Sequence, residues 1–107
     1  MTSMRITHIA AHVEQAADQL ALDEALLLEA DENGASETLR VWEFSAPTVV
    51  VGRSSKVDVE VDRTVCEANG IPVFRRCSGG ASVVGGPGCL MYSVVIRLDR
   101  HPDLQKI

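Results

Sequence analysis

The residues best suited to chemistry lie in one short stretch, Arg75-Arg76-Cys77-Ser78-Gly79-Gly80-Ala81. A guanidinium presents a planar set of donors that matches a phosphate or carboxylate two bonds at a time. Glycines let backbone N–H groups turn toward an anion without a Cβ in the way, and such a concave array of amides favours negative charge. Ser78 adds a hydroxyl donor. Together these residues could hold a phosphate, or a carboxyl group undergoing activation. The plainer alternative is a solvated basic turn between two strands, since neither GxxxxGK[ST] nor GxGxxG is present. Gly52-Arg53 follows the run Thr48-Val49-Val50-Val51 directly, a strand exit that could bring another cation beside the first loop. Its alternative is an ordinary surface arginine.

These residues need a scaffold, and the sequence outlines one. Residues 5–10 have weak strand character. Residues 13–32 are rich in Ala and Leu, free of Gly and Pro, and predict a helix with Leu20, Leu27 and Leu28 as its buried stripe. Gly34 is placed to cap it in the left-handed conformation. Residues 38–44 read as a strand, with Leu39, Val41 and Phe44 on one face and Arg40, Trp42 and Glu43 on the other. Ser45-Ala46-Pro47 is a turn, and the β-branched run 48–51 reads as a central strand buried on both faces. The short connection predicts that these two strands pair antiparallel.

Residues 57–62 alternate Val with Asp or Glu, which favours a strand, but the spacing of Val61, Val65 and Ala68 favours a helix over 60–69, stopped by Gly70 and Pro72. Strands follow at 71–75, 81–84 and 90–98, separated by glycine-rich loops at 77–80 and 85–88. A polar segment begins at residue 99. The order β-α-β-β-α-β-β-β predicts an α+β fold, a mainly antiparallel sheet with flanking helices.

Composition narrows the function. The chain has 107 residues, 46% of them hydrophobic, and a net charge of −5. That content excludes intrinsic disorder. The length fits one domain or part of one. The acidic balance argues against a nucleic-acid partner, which would require a basic face. Residues 77–96 carry no charge, yet five glycines and a proline forbid a membrane helix there. Cys66, Cys77 and Cys89 fit neither a disulfide framework nor a zinc site, so no metal ligands are assigned and a reducing cytoplasm is expected.

Several motifs recur in one order: Ala21-Leu22-Asp23-Glu24-Ala25-Leu26, Val41-Trp42, Thr48 to Arg53, Arg75 to Val83, and Tyr92-Ser93. Over residues 18–96 this order resembles the lipoate–protein ligase family, which shares its catalytic fold with octanoyltransferases and biotin–protein ligases. The resemblance implies a class II synthetase or biotin-ligase-like catalytic domain, of which residues 1–107 form the N-terminal portion. It implies that Arg76 contacts the activated acyl group or its adenylate phosphate, with Ser78, Gly79 and Gly80 around the same ligand. Trp42 falls where the ligases have a tryptophan near the acyl pocket, and sheet packing is its alternative role. Arg53 is carried as a further substrate-binding candidate. Lipoate or octanoate would be the substrate, with ATP and Mg as co-substrate. A lipoyl-carrier domain or acyl carrier protein would be the partner, and a homodimer or a second-half polypeptide would complete the unit.

The departures bear on activity. Ala81 replaces a third glycine, Gly85 a histidine, and Cys89 an asparagine, while Gly86-Pro87-Gly88 looks like the octanoyltransferase loop. The family's essential lysine lies on a later strand, and neither Lys56 nor Lys106 matches it. Cys77 and Cys89 are poor nucleophile candidates, although the two arginines before Cys77 keep it in view. No catalytic residue is therefore assigned, and the chain is expected to be incomplete as a catalyst. Three functions remain: a lipoate–protein ligase or octanoyl/lipoyl transferase, a non-catalytic acyl-binding remnant or half of a split enzyme, and a biotin–protein ligase relative.

Overall fold

The computed structural model describes residues 6–10, 13–34 and 36–106. Arg5, at the head of the first expected strand, and Ile107 lie outside the described residues. The elements run β1 (Thr7–Ile9), α1 (Ala16–Asn33), β2 (Thr38–Trp42), β3 (Thr48–Val51), α2 (Val57–Glu60), α3 (Arg63–Ala68), β4 (Val73–Arg75), β5 (Val83–Gly85) and β6 (Met91–Val95). A 3-10 turn, Pro102–Lys106, follows. No helix among the described residues is long and apolar enough to cross a membrane.

The α+β class holds, and the strands form two three-stranded sheets, β1-β2-β6 and β4-β3-β5. Pairing is balanced, because each sheet joins one parallel ladder to one antiparallel ladder. The predicted β2–β3 hairpin is absent. The connection through Ser45-Ala46-Pro47 passes the chain from one sheet to the other, with Phe44 fully buried at the crossing. β3 is the central strand of its sheet and buried on both faces, as its β-branched run predicts. Val49 and Val51 face a small core with Cys66, onto which Val57, Val61, Ile71 and Val73 pack.

Three local readings are corrected. The helix expected over 60–69 divides into α2 and α3. Val61 is extended, and the Asp62 carboxylate accepts from the Val65 N–H at 3.1 Å, capping a new helix. The valine alternation serves this break: Val57 and Val61 turn inward, while Val59 is exposed. In β2 the faces are reversed. Thr38, Arg40 and Trp42 are buried, and Val41 is exposed. In α1 the inward face runs through Ala16, Gln19, Asp23, Leu26 and Ala30, while Leu27 and Leu28 are exposed. Both shifts have one cause. The Arg40 guanidinium is buried against α1, where it donates to the Gln19 carbonyl and to Asp23 Oδ1, each at 2.9 Å. A buried charge must be paired, so it pulls Gln19 and Asp23 inward. Gly34 caps α1 with φ +63°, as predicted.

Glu37 ties the ends of this sheet together. Its carbonyl accepts from the Thr7 N–H, and its buried carboxylate accepts from the Arg97 N–H at 2.9 Å and pairs with His101 Nε2 at 2.7 Å. The Arg97 N–H, followed by His101, holds the Glu37 carboxyl below its ordinary range.

Candidate functional site

The Arg75–Ala81 stretch leaves β4 and folds back over the exit of β3. Each arginine is committed to backbone carbonyls. Arg75 NH1 donates to Gly52, Arg53 and Ser55, at 2.7, 3.1 and 2.9 Å. Arg76 donates to Val50 at 3.3 Å, to Gly79 at 2.7 Å and to Ala81 at 2.9 Å. The Arg53 N–H donates to the Ser78 carbonyl at 2.9 Å, and the Ser55 hydroxyl to the Gly80 carbonyl at 3.1 Å. The loop is thus held by its own two cations and by the segment after β3. Arg76 uses NH1 and NH2 in this way.

The glycines are not equivalent. A Cβ at Gly52 would collide with the Gly80 carbonyl, so the two loops touch through bare backbone. Gly80 has φ +104°, a conformation that side chains resist. Gly79 has neither constraint, and a Cβ there would meet open space. Beyond the loop, Glu60 Oε1 accepts from the Ser82 N–H at 3.0 Å and its hydroxyl at 2.9 Å. These two bonds, the backbone one foremost, hold the Glu60 carboxyl below its ordinary range, with smaller help from the Ser55 hydroxyl and the Arg76 charge.

Arg76 and Ser78 open onto a groove of about 620 Å³ between the two sheets and α1. Leu20, Leu27, Trp42, Val50, Val83 and Met91 make it mostly apolar. It therefore offers an apolar trough with a cation and a hydroxyl at one wall, the form suited to an amphiphile with an anionic head. Three predicted residues meet here: Arg76, Ser78 and Trp42. Gly79 and Gly80 line a shallower hollow of about 470 Å³ on the loop's outer side, beside Ser55 and Lys56. Arg53 is exposed and meets the loop through its backbone N–H. A wider cleft of about 930 Å³ lies across Trp42 and contains neither Arg76 nor its loop. Of these hollows, only the groove joins an apolar lining to the Arg76 cation.

Asp23 and Ser93 also line the groove and received no role from the sequence. Ser93 donates to Asp23 Oδ2 at 2.7 Å, while Asp23 Oδ1 holds Arg40. Their signal was present as two polar residues inside motifs already quoted. Gly85 sits where the resemblance expects a histidine. The Phe44 ring fills that space, and a Cβ on Gly85 would come within 2.8 Å of it. Cys66 is buried, Cys77 half-buried at the groove and Cys89 exposed.

Residues 15–107 match the lipoyl protein ligase A/B catalytic domain. The chain belongs to this family. It is 40% identical over 88 residues to octanoyltransferase LipM of Carboxydothermus hydrogenoformans, covering 82% of this chain and 32% of that protein. A bipartite lipoate protein ligase from Thermoplasma acidophilum, solved in a study with its E2 lipoyl domain, superposes with a TM-score of 0.73 at 28% identity, covering 86% of this chain and 36% of that one. Lipoate-protein ligase A bound with ATP superposes equally well, with a TM-score of 0.73 at 28% identity, covering 85% and 36%. The chain thus spans about a third of the length of the relatives it matches. It shares sequence with a protein named as an octanoyltransferase and its fold with proteins named as lipoate protein ligases.

Proposed function

We propose that this chain forms the acyl-binding part of a lipoate–protein ligase or octanoyl/lipoyl transferase acting in protein lipoylation. A medium-chain acyl group lies in the groove, with its carboxyl or adenylate phosphate at Arg76 and Ser78, while Gly79 and Gly80 shape the loop that presents them. The carrying observation is that Arg76 and Ser78 open onto the same apolar groove as Trp42. The groove removes the acyl chain from water, and the Arg76 cation and the Ser78 hydroxyl meet the negative charge on the carboxyl or phosphate oxygens. ATP with Mg serves as co-substrate in the ligase version, and its phosphate chemistry suits the loop donors. A lipoyl-carrier domain receives the acyl group. Residues 1–107 act as the N-terminal portion of the catalytic domain, and no described residue is given the transfer step.

Calorimetric titration with octanoate and lipoate tests this reading. Arg76→Ala is expected to weaken binding by about tenfold or more, the effect of losing a charged hydrogen bond. Unchanged affinity sinks the loop assignment. The second reading, one half of a split enzyme, is favoured by the likeness to a bipartite ligase. Acyl transfer to a lipoyl domain that appears only when a polypeptide carrying the rest of the catalytic domain is added supports it. Vigorous transfer by this chain alone rejects it.

A further inference from the structure

We propose that Ser93, Asp23 and Arg40 form a positioning relay that fixes Trp42 as a wall of the groove, an inference that rests on the acyl reading above. The relay begins at Ser93 on β6. Its hydroxyl donates to Asp23 Oδ2 at 2.7 Å, and Asp23 Oδ1 accepts from Arg40 NH1 at 2.9 Å. Arg40 lies opposite Ser93 in the β2–β6 ladder, and its guanidinium carbon sits 4.3 Å from the centroid of the Trp42 ring. Phe44 meets the same indole edge-on, with centroids 6.4 Å apart.

Two features make this more than packing. The Trp42 indole N–H is buried without a hydrogen-bond partner. A buried tryptophan is usually oriented through that group, so this ring depends on the cation above it and the phenyl edge beside it. Arg40 is 1% exposed, and its Nε and NH2 have no partner. Among the described residues, Asp23 is the one carboxylate that bonds to it, the Gln19 carbonyl being its other acceptor. Loosening Asp23 therefore frees Arg40, and freeing Arg40 frees the ring. Asp23, Ser93 and Trp42 all line the groove while Arg40 stands behind it, so the relay reports to the space an acyl chain would fill. None of the three touches the reacting carboxyl in this arrangement. They are positioning residues, and their effect is on how sharply the groove discriminates chain length.

Trp42 is the sole tryptophan of the chain, so its emission reads the relay without a label. The experiment compares the wild-type chain with Ser93→Ala, Ser93→Thr and Asp23→Asn, first without ligand and then titrated with hexanoate, octanoate and dodecanoate. Without ligand, Ser93→Ala and Asp23→Asn are expected to shift Trp42 emission and increase its quenching by acrylamide, while Ser93→Thr, which keeps the hydroxyl, behaves as wild type. With ligand, Ser93→Ala is expected to reduce the preference for octanoate over dodecanoate about fivefold, the factor given by one lost hydrogen bond. Ser93→Ala is the decisive variant because it removes the hydroxyl that steadies Asp23 without removing either charge of the ion pair. The relay is overturned if Ser93→Ala keeps both the wild-type quenching and the wild-type chain-length preference. If the wild-type chain binds none of the three carboxylates, the acyl reading fails, and the ligand-free arm still decides whether the relay orients Trp42.

Discussion

The two walls of the groove are built on opposite principles. On the β4-β3-β5 side, backbone meets backbone. Arg75 and Arg76 reach six carbonyls between them, Gly52 lies against Gly80 with no room for a Cβ, and Ser55 and Glu60 add side-chain ties to the loop. On the β1-β2-β6 and α1 side, side chain meets side chain through a buried ion pair from Asp23 to Arg40, extended to Ser93 and Trp42. On the proposed reading, the first wall frames an anionic head. The second lines the chain behind that head. The two should therefore respond differently to substitution.

The largest effect is expected at the ion pair. Asp23→Ala leaves a buried guanidinium without its charge partner, which costs about 3–5 kcal/mol. Urea denaturation measures this as a lowered midpoint, and a loss well under 1 kcal/mol would show that the pair is not the anchor of that wall. Gly52→Ala comes next. It forces a methyl group into the Gly80 carbonyl, and such overpacking costs about 1–3 kcal/mol. Its octanoate binding should fall with stability, since the loop must move away. Gly79→Ala sharpens the contrast. Nothing in the fold opposes a methyl group there, so stability should stay within about 0.5 kcal/mol, while binding of an adenylate should weaken if the ligand approaches that amide. Equal losses in both would mean the loop frame, not the ligand, occupies that space.

Smaller still is the response to pH at Glu60. Its carboxyl is held below its ordinary range by Ser82. The stability it contributes is whole at neutral pH, begins to fall near the ordinary glutamate value of about 4.3, and is lost as pH drops through the lowered folded value. Denaturation midpoints of wild type and Glu60→Gln should converge across that interval, and parallel curves would count against the Ser82 tether. The smallest effect belongs to Arg63→Ala. Its pairing with Asp58 at 3.3 Å is between exposed groups, so the change should stay within about 0.5 kcal/mol.

The contrast between the walls also explains what the sequence disclosed. The loop side was legible because its chemistry is local: glycines at turns, arginines at a strand end and a β-branched central strand all declare themselves within a few residues. Gly34, β3 and the Arg76–Gly80 loop are of this kind. The other wall was misread because its faces are set by a contact between residues 17 apart in the chain. The sequence pattern set Leu39 and Val41 on one face and Arg40 and Trp42 on the other, and the pairing of Arg40 with Asp23 turns the second face toward α1. The same pairing displaced Leu27 and Leu28 from the expected stripe. The split of α2 from α3 falls inside the helix expected over 60–69, where Val61 is extended and Asp62 caps a new helix. The predicted hairpin failed because a short turn such as Ser45-Ala46-Pro47 can change sheets as readily as reverse a strand. Among the candidate site residues, Arg76, Ser78 and Trp42 converge on the groove, while Asp23 and Ser93 acquire meaning only once α1 and β6 are seen side by side.

The central claim is that one groove joins an anion-holding loop to an acyl-sized trough. The most direct test is calorimetric titration of the wild-type chain with octanoate and with octanol, which share a chain and differ in the head group. The account predicts that octanoate binds and that octanol binds about tenfold more weakly or worse, since the charged hydrogen bonds at Arg76 are absent. Equal affinity for the two, or no binding of octanoate, would contradict it.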